Sequence, residues 1–410
     1  MALDGTLLNP SGSLRYPKTV VQGVNKPTLS APNIRASESG LYKLTIVNPL
    51  SGTTSTLNVN VVVNPDTNAP IVQSVGSFDG TTVDVCFNET LDPVTSIDPA
   101  NYTFDSPGGA TVGFAELRKD NKSVRLTVSG LSPATSFTIR VKNVRDFTQT
   151  AVTAIPLPGQ TVAGTVQSTF TGTLDIDTAV TGAAYNCKAG EYEVEAGGTD
   201  IWGASDTFNF VYREVTGDFD VRVQVAQVTS PGNRSGLMLR EALSGSSRFN
   251  YVTFNPGNLL GFHVRATDGV EPTWAAPQTS PWITFGPPPN VWMRLKRQGT
   301  LTSAFRSTDG ASWTLLGATT NVIADPSYLG LATAANAGGN TGLTRYANFA
   351  NVTVLNLDST GGILTLSWTG PGVLESSTVA EGPYSPVGQS QANPQTVQPA
   401  AEKKFFRIRQ

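Results

Sequence analysis

Charged side chains, histidine and cysteine are all scarce in this sequence. Only 14% of the residues are Asp, Glu, Lys or Arg, one is histidine and two are cysteine, whereas about 25% of the residues in an average soluble domain are charged. A Ser-His-Asp or Cys-His nucleophilic centre would have to be built on His263, and a zinc site of three or four His and Cys ligands cannot be assembled at workable spacing. These shortages argue against histidine-dependent hydrolysis and transition-metal catalysis.

Long apolar runs and an excess of basic residues are also missing. No stretch of 18 apolar residues occurs, so we expect no membrane insertion. The net charge is −3, which gives no reason to expect nucleic acid or an anionic membrane as a partner. The first ten residues lack the basic and apolar segments of a signal peptide, so we expect either a cytoplasmic protein or an internal piece of a longer secreted chain.

What the sequence does contain is turn formers and short alternating segments. There are 40 glycines and 27 prolines, and convincing runs with the 3.6-residue apolar period of a long amphipathic helix are absent. Short stretches in which apolar and polar residues alternate are typical of strands with one buried face. The sequence therefore predicts an all-β protein.

Residues 1–64 carry the pattern of the last part of a sandwich domain. The alternating stretches "LYKLTIVN" and "TSTLNVNVVV" are separated by the turn "PLSG" and predict a hairpin. Tyr42, two residues after Gly40, resembles the tyrosine corner of immunoglobulin-type domains, and "DGTLLNPSG" resembles an earlier strand of that fold. The tryptophan strand of that family is missing, because the first tryptophan of the chain is Trp202. We therefore expect a partial immunoglobulin-like domain that begins outside this sequence and does not close by itself.

Residues 65–155 resemble the immunoglobulin-like or fibronectin-like spacers of bacterial proteins. The resemblance lies in "TTVDVCFNETLDPVTSIDPANYTF" and in "SVRLTVSGLSPATSFTIRVKNVRD". In the second segment, alternation predicts that Phe137, Ile139 and Val141 point into the core. This region is expected to form a complete sandwich.

Residues 165–356 resemble the concanavalin A-like, laminin-G-type jelly rolls of large bacterial surface and secreted proteins. The motifs that carry the resemblance are "DIWGASDTF" at 200–208, "GLMLR" at 236–240 and the segment from Trp292 to Trp313. Residues 357–410 resemble a small β module that often ends such proteins. The resemblance implies a fold more firmly than an activity.

The two cysteines are expected to be unpaired. Cys86 and Cys187 fall in different predicted domains, and a disulfide requires Cα atoms within about 7 Å. In "TTVDVCFNE" the apolar alternation puts Val83, Val85 and Phe87 on the buried face and turns Cys86 to the other side. We therefore predict a free Cys86.

Paired carboxylates are the remaining route to catalysis, since glycosidases can be built on a concanavalin A-like fold with no metal and no histidine. The relatives with that activity place acids along one strand as "E-x-D-x-x-E". The nearest candidates here are Glu191, Glu193 and Glu195 in "EYEVEAG", and Asp218 with Asp220 in "GDFDV". Neither group matches the pattern, so we expect surface carboxylates and no enzyme.

A structural calcium ion is the one cofactor that the resemblance leaves open, because this fold often holds one with aspartate side chains and backbone carbonyls. The candidate ligands are Asp175 and Asp177 in "LDIDTA" and Asp200 in "DIWG". No contiguous ligand loop is visible. The alternative, which we prefer, is that these aspartates cap turns.

A ligand site is predicted at the tryptophans of "EPTWAAPQTSPWITFGPPPN". Sugars stack their C–H faces on flat aromatic rings, and prolines restrict the loop and reduce the entropy lost on binding. Trp274 and Trp282 are the central candidates, with His263, Arg265 and Trp292 as neighbouring contacts. The alternative for the two loop tryptophans is that they plug the end of the sandwich, and the alternative for His263 is an ordinary strand residue.

Together these features predict a non-catalytic binding or adhesion module, secreted or at a cell surface, forming the C-terminal part of a larger protein. Its expected partner is a polysaccharide or cell-surface glycan. A structural scaffold or filament subunit with homotypic assembly is the alternative. A glycoside hydrolase or lyase is the third and least favoured class.

Overall fold

The computed structural model describes residues 2–5, 19–22, 39–47, 51–64, 68–147, 154–178, 180–229, 234–255, 257–336, 339–352, 355–359, 363–368, 373–387, 394–397 and 403–409. These residues form an all-β protein, as predicted, with one short 3-10 turn at Pro99–Asn101. The described residues include no helix long and apolar enough to cross a membrane. The chain divides into two units, Met1–Val166 and Gln167–Gln410.

The first unit contains eleven described strands. They are β1 (Ala2–Gly5), β2 (Thr19–Gln22), β3 (Gly40–Val47), β4 (Thr54–Val61), β5 (Val72–Gly76), β6 (Thr82–Phe87), β7 (Tyr102–Ser106), β8 (Thr111–Leu117), β9 (Ser123–Ser129), β10 (Ser136–Val141) and β11 (Gln160–Thr165).

The N-terminal strands make two small antiparallel pairs, β1 with β2 and β3 with β4. The predicted hairpin is present, with Leu44 opposite Leu57, and Tyr42 is buried with 4% of its surface exposed. β4 is exposed along nearly its whole length. Most of the segment 4–12, predicted as an earlier strand, lies outside the described residues, as do 23–38, so the prediction that 1–64 is an unclosed sandwich stays a prediction.

The rest of the first unit is a two-sheet sandwich. One sheet has the order β5-β6-β9-β8 and the other β11-β10-β7. Phe137, Ile139 and Val141 are at most 1% exposed in its core, which confirms the alternation predicted for β10. β11 lies between the sequence boundaries drawn at 155 and 165, and it pairs with β10 over its full length.

The prediction that Cys86 is unpaired is wrong. Cys86 and Cys187 are both disulfide-bonded, and the described residues contain no free cysteine. The face assignment behind the prediction was correct, because Val83, Val85 and Phe87 are buried. Alternation along one strand fixes which way a side chain points, but it carries no information on the distance between segments remote in sequence.

The second unit contains the remaining strands. They are β12 (Gly172–Ile176), β13 (Ala183–Lys188), β14 (Glu191–Ala196), β15 (Phe208–Val215), β16 (Phe219–Val228), β17 (Arg234–Arg240), β18 (Phe249–Asn255), β19 (Leu259–Arg265), β20 (Thr273–Trp274), β21 (Ile283–Thr284), β22 (Val291–Gln298), β23 (Leu301–Ser307), β24 (Thr314–Thr319), β25 (Ser327–Ala334), β26 (Gly342–Asn351), β27 (Leu355–Asp358), β28 (Leu364–Trp368), β29 (Val373–Ser377), β30 (Ser385–Pro386), β31 (Gln395–Val397) and β32 (Phe405–Arg409).

Most of these strands build a jelly-roll sandwich. An eight-stranded sheet runs β12-β15-β25-β17-β18-β19, with β20 and β21 both on the far side of β19, and a seven-stranded sheet runs β13-β14-β26-β16-β22-β23-β24. Buried hydroxyls join the sheets: Ser235 to Thr344 at 2.7 Å and Thr333 to Tyr346 at 2.8 Å. The other residues of the facing strands that point between the sheets are mainly apolar, such as Leu237, Leu239 and Val223, and they recur at every second position, which is the period that two packed sheets require.

The outer face of the eight-stranded sheet is buried as well. It carries Phe208, Phe210, Met238, Phe249 and Tyr251, and none of them is exposed. Two connections pack over this face, and they contribute Ile201 and Leu243 to the same cluster. Side chains on the outer face of this sheet therefore pack into a second core. For this reason strands such as β17 are buried at nearly every position.

The C-terminal module has a small core of its own. Two three-stranded sheets, β27-β28-β31 and β30-β29-β32, enclose Leu366, Trp368 and Leu374, with Phe406 and Ile408 partly buried against them. The sequence boundary at 356 falls inside β27, which pairs with β28.

Candidate functional site

Three of the six tryptophans lie at one end of the outer face of the eight-stranded sheet. We call Trp202, Arg234, His263, Trp274 and Trp282 the tryptophan patch. Trp202 and Trp282 are half-buried, and Trp274 is 41% exposed. The patch is therefore an aromatic surface that solvent can reach, above a buried polar centre.

His263 is the buried centre of the patch. Its ring meets the Trp202 ring edge-on at 4.9 Å and the Trp282 ring edge-on at 4.6 Å, measured between centroids. Nε2 lies 2.8 Å from the Pro281 carbonyl oxygen; because a carbonyl only accepts, Nε2 carries the hydrogen. Nδ1 is then a buried acceptor, and it has no hydrogen-bond partner among the described residues.

The environment of His263 favours the neutral imidazole. Burial lowers the pKa of His263 to about 4, the bond to the Pro281 carbonyl opposes that shift, and the positive charge of Arg234 adds to it. At neutral pH the ring is uncharged. His263 can therefore accept a hydrogen bond at Nδ1 but does not supply a positive charge to a ligand.

Arg234 lies against both half-buried tryptophans. Its Cζ is 5.4 Å from the Trp202 ring centroid and 5.0 Å from the Trp282 ring centroid, a range in which cation–π attraction is appreciable. Its charge is balanced by Asp200, since Nε and Oδ1 are 2.5 Å apart. The ion pair orders the tryptophans while leaving the patch centre without a net charge.

The loop with the predicted tryptophans is pinned to the edge strand β19. Trp274 is the strand partner of His263, and Leu260 is the partner of Ile283. Between these points the Phe262 amide donates to Gln278 Oε1 at 2.9 Å. A Cβ atom at position 261 would lie only 2.4 Å from the Pro281 carbonyl oxygen, so Gly261 allows the loop to cross the strand. The loop is held in shape before any ligand arrives.

Trp202 is held from a different connection. The indole Nε1 donates to Glu271 Oε1 at 2.5 Å. Glu271 is exposed, and its second carboxylate oxygen has no partner among the described residues. The tight turn that presents Trp202 is closed by the bond from the Thr207 amide to the Asp200 carbonyl at 2.9 Å.

Arg265 was predicted as a contact beside His263, and the structure places it inside the protein. Its side chain is not exposed, and it forms an ion pair with Asp206, which also pairs with Arg240. Its remaining donors are used by backbone carbonyls, including that of Val270 at 2.9 Å. We call Asp206, Arg240 and Arg265 the ion-pair cluster, and its geometry is that of a structural element.

Trp292 was also predicted at the site, but the structure puts it on β22 of the other sheet. Its ring lies 5.7 Å from Arg222 Cζ, and Gly310 packs so closely that a Cβ there would be 2.8 Å from the ring. It is not brought together with the tryptophan patch.

The three aspartates proposed for calcium have separate partners. Asp175 accepts from Asn209 Nδ2 at 2.9 Å, Asp177 accepts from the Gly245 amide at 3.0 Å, and Asp200 pairs with Arg234. Burial raises the pKa of Asp200, with Arg234 opposing that shift. Across the described ranges no group of three or more His, Cys, Asp or Glu side chains could hold a metal ion. A structural calcium ion held by these aspartates and by backbone carbonyls stays a prediction, with turn capping as the preferred alternative.

The carboxylates considered for catalysis are mostly ion-paired. Glu191 pairs with Lys188, Glu193 with Arg345, and Asp220 with Arg294, while Glu195 accepts from Thr341 Oγ1 at 2.6 Å. Asp218 accepts from the Gly299 amide at 2.7 Å. These contacts account for the carboxylates as structural groups.

A cleft of about 870 Å³ lies elsewhere in the second unit, where the end of the sandwich meets β28. Its lining includes Arg213, Asp218, Lys296, Asn351 and Ser367. Cations and carboxylates are mixed there, and Phe219 is the one aromatic residue among the described residues of the lining. Stacking of a sugar ring is therefore better served by the tryptophan patch.

Sequence reasoning missed Trp202, Arg234 and Glu271. Trp202 was noted as part of the "DIWG" motif, which indicated a fold, and Arg234 and Glu271 lie in separate segments. A tryptophan in a turn-rich motif was an available signal, but the contact of Trp202 with His263 depends on how the two connections cross the sheet.

Comparison with known proteins gives only distant likenesses. No family model matches this chain, and the search of curated proteins found no match. A functionally unknown protein from Saccharomyces cerevisiae is 17% identical with a TM-score of 0.35, covering 44% of this chain and 95% of its own.

Two bacterial proteins have lower sequence identities and lower TM-scores. The GH43 protein BlXynB from Bacillus licheniformis is 11% identical with a TM-score of 0.31, covering 76% of this chain and 70% of its own. The surface layer protein SbsC, domains 1–6, is 12% identical with a TM-score of 0.23, covering 84% and 67%. At these TM-scores the likenesses carry no argument about function.

Proposed function

We propose that this chain is a non-catalytic module that binds a polysaccharide or cell-surface glycan through the tryptophan patch. The observation that carries the proposal is the arrangement of three tryptophans, one of them well exposed, on a pinned loop and a turn above His263. Exposed rings offer stacking surfaces for sugar C–H faces, and the rigid loop reduces the entropy lost on binding.

The polar atoms of the patch fit the same role. The unpartnered Nδ1 of His263 lies beneath the rings, and an ordered water there would link it to a hydroxyl of the ligand. The free carboxylate oxygen of Glu271 is a second acceptor at the rim. A sugar ring that stacks on Trp274, donates one hydroxyl hydrogen to Glu271 and reaches His263 Nδ1 through the water would satisfy these groups together.

A glycan array with the full chain tests the proposal. We expect binding to at least one polysaccharide, and we expect it to be lost in Trp274→Ala. Trp292→Ala is the matched control, because it removes a half-buried tryptophan from the other sheet and should leave binding unchanged. An array on which the full chain binds nothing, or equal loss in both variants, would contradict the proposal.

The absence of catalysis is part of the proposal. The candidate carboxylates are engaged in ion pairs and hydrogen bonds. Buried side chains cover the outer face of the eight-stranded sheet, where an enzyme would need an open groove. Incubation with each bound polysaccharide should release no reducing sugar. Release that scales with protein concentration would show an enzyme.

We also propose a secreted or cell-surface location, which the disulfide-bonded state of Cys86 and Cys187 supports, since disulfides persist in oxidising compartments. Thiol titration of the purified chain under denaturing, non-reducing conditions should find no free thiol. Two free thiols in protein isolated from its native compartment would contradict this placement.

Homotypic assembly is a second candidate function, and the β3–β4 hairpin is the observation that favours it. Leu41, Leu57, Val59 and Val62 are each more than 40% exposed, and exposed apolar strands pair readily with other chains. Sedimentation of the full chain should then show concentration-dependent oligomers that Leu57→Lys abolishes. A monomer at all concentrations would exclude this role.

A further inference from the structure

The charge of the tryptophan patch narrows the class of glycan. Arg234 is 11% exposed and ion-paired with Asp200, and Arg265 is fully buried against Asp206. The loop at 273–284 contains no charged residue. Glu271, which holds the Trp202 indole beside the patch, is exposed and has no ionic partner among the described residues.

Glu271 has two roles in this geometry. One oxygen holds the indole of Trp202, and the other faces solvent at the edge of the aromatic surface. A carboxylate in this position accepts hydrogen bonds from sugar hydroxyls, but it repels a carboxylate or sulfate on the ligand. His263 is neutral at neutral pH and does not offset that repulsion.

We infer that the patch selects neutral or amino sugars and rejects uronic acid and sulfated glycans, with Glu271 as the residue that determines this specificity. The inference rests on the proposed glycan-binding function. Aromatic stacking by itself would give affinity for many sugars, whereas the unpaired carboxylate of Glu271 would discriminate between sugars of equal shape and different charge.

Matched polymer pairs test the inference. The full chain would be titrated with hydroxyethyl cellulose against carboxymethyl cellulose, and with fully methyl-esterified homogalacturonan against the same polymer after de-esterification. We expect the neutral member of any bound pair to bind about fivefold or more tightly at low ionic strength, since one unit charge at contact distance in water has roughly that effect. The ratio should shrink as salt screens the charge.

Glu271→Gln separates the charge from the scaffold. Glutamine retains an acceptor for the Trp202 indole and removes the negative charge, so the ratio of neutral to anionic affinity should fall toward one. The amide nitrogen that replaces the free oxygen cannot accept a ligand hydroxyl, so binding of the neutral member should weaken while the anionic member loses the repulsion. Glu381→Gln is the control, because it removes an exposed carboxylate of the C-terminal module and should leave the ratio unchanged.

The outcomes distinguish the two proposals. Equal binding of neutral and anionic members by the unchanged chain would overturn the charge selection and leave glycan binding intact. A ratio that Glu271→Gln does not alter would overturn the role of Glu271. No binding of any polymer, on the array or in these titrations, would remove the proposed function and this inference with it.

Discussion

The tryptophan patch and the ion-pair cluster are neighbours on the same sheet face, and they differ in how completely their buried polar groups are paired. His263 and Arg265 are two residues apart on β19 and face the same side, and both are fully buried. Arg265 lies in a closed cluster in which the Asp206 carboxylate forms ion pairs with the guanidinium groups of Arg240 and Arg265. His263 lies under half-exposed rings, with one nitrogen unpartnered among the described residues.

One connection contributes to both regions. It carries Trp202 into the patch and Asp206 into the cluster, and the carbonyl of Gly203 accepts from Arg265 Nη2 at 2.8 Å. The cluster thereby fixes the turn that presents Trp202. Fully satisfied buried charges provide rigidity, and an incompletely satisfied polar centre beside exposed rings provides a place to bind.

Asp206→Asn should have the largest effect, because it leaves Arg240 and Arg265 buried without their carboxylate. Breaking a buried pair from one side costs about 3–5 kcal/mol, so the jelly-roll transition in urea should move to much lower denaturant. A midpoint within error of the unchanged chain would show that the cluster is not a structural element.

Lowering the pH should have the next largest effect, which is a decrease in the free energy of unfolding. The pKa of His263 is about 4 in the folded chain, below its ordinary value of 6.5, so between these two values the unfolded chain binds the extra proton. Stability should fall as the pH decreases from about 6.5 to about 4, by about 3 kcal/mol in total.

His263→Gln provides the control, since His263 is the only histidine of the chain. The difference in unfolding free energy between pH 7 and pH 4 should be smaller by that amount in the variant. An unchanged pH dependence in the variant would assign the effect to other groups.

The two loop tryptophans should differ from each other. Trp282→Ala removes contacts with His263 and Arg234 and should cost about 1–2 kcal/mol, while Trp274→Ala should change stability by less than about 0.5 kcal/mol because its ring is exposed. Both should abolish glycan binding. A large loss of stability in Trp274→Ala would show that it plugs the sandwich instead.

The smallest effect is expected from an exposed ion pair. Asp105 Oδ2 and Arg140 Nη2 are 2.6 Å apart, and each side chain is about one-third exposed. Asp105→Asn should leave the urea midpoint of the first unit within experimental error, because solvent screens such pairs. A shift comparable with that of Asp206→Asn would remove the contrast between buried and exposed charges.

Alternation was enough to predict much of the fold. It placed Phe137, Ile139 and Val141 in a core, and it put Phe208 and Phe210 on one face of β15. It could not show that this face is covered by two connections, because burial of an outer face depends on loops whose path has no local signature. The same limit explains Arg265, which alternation put beside His263 but whose partner Asp206 lies 59 residues away.

The jelly roll was expected from a family resemblance, whereas local sequence patterns were sufficient to predict that the protein is all-β and that Trp274 belongs to a loop stiffened by proline. Those properties follow from strand period and turn chemistry, which act over a few residues. Only the assembled fold shows that Trp202 joins Trp282 around His263, that Trp292 does not, and that both cysteines are bonded. The meeting of the tryptophans depends on the distance between segments remote in sequence, which is fixed by the packing of the sheets and their connections, and the bonding of a cysteine likewise has no signature in its neighbouring residues.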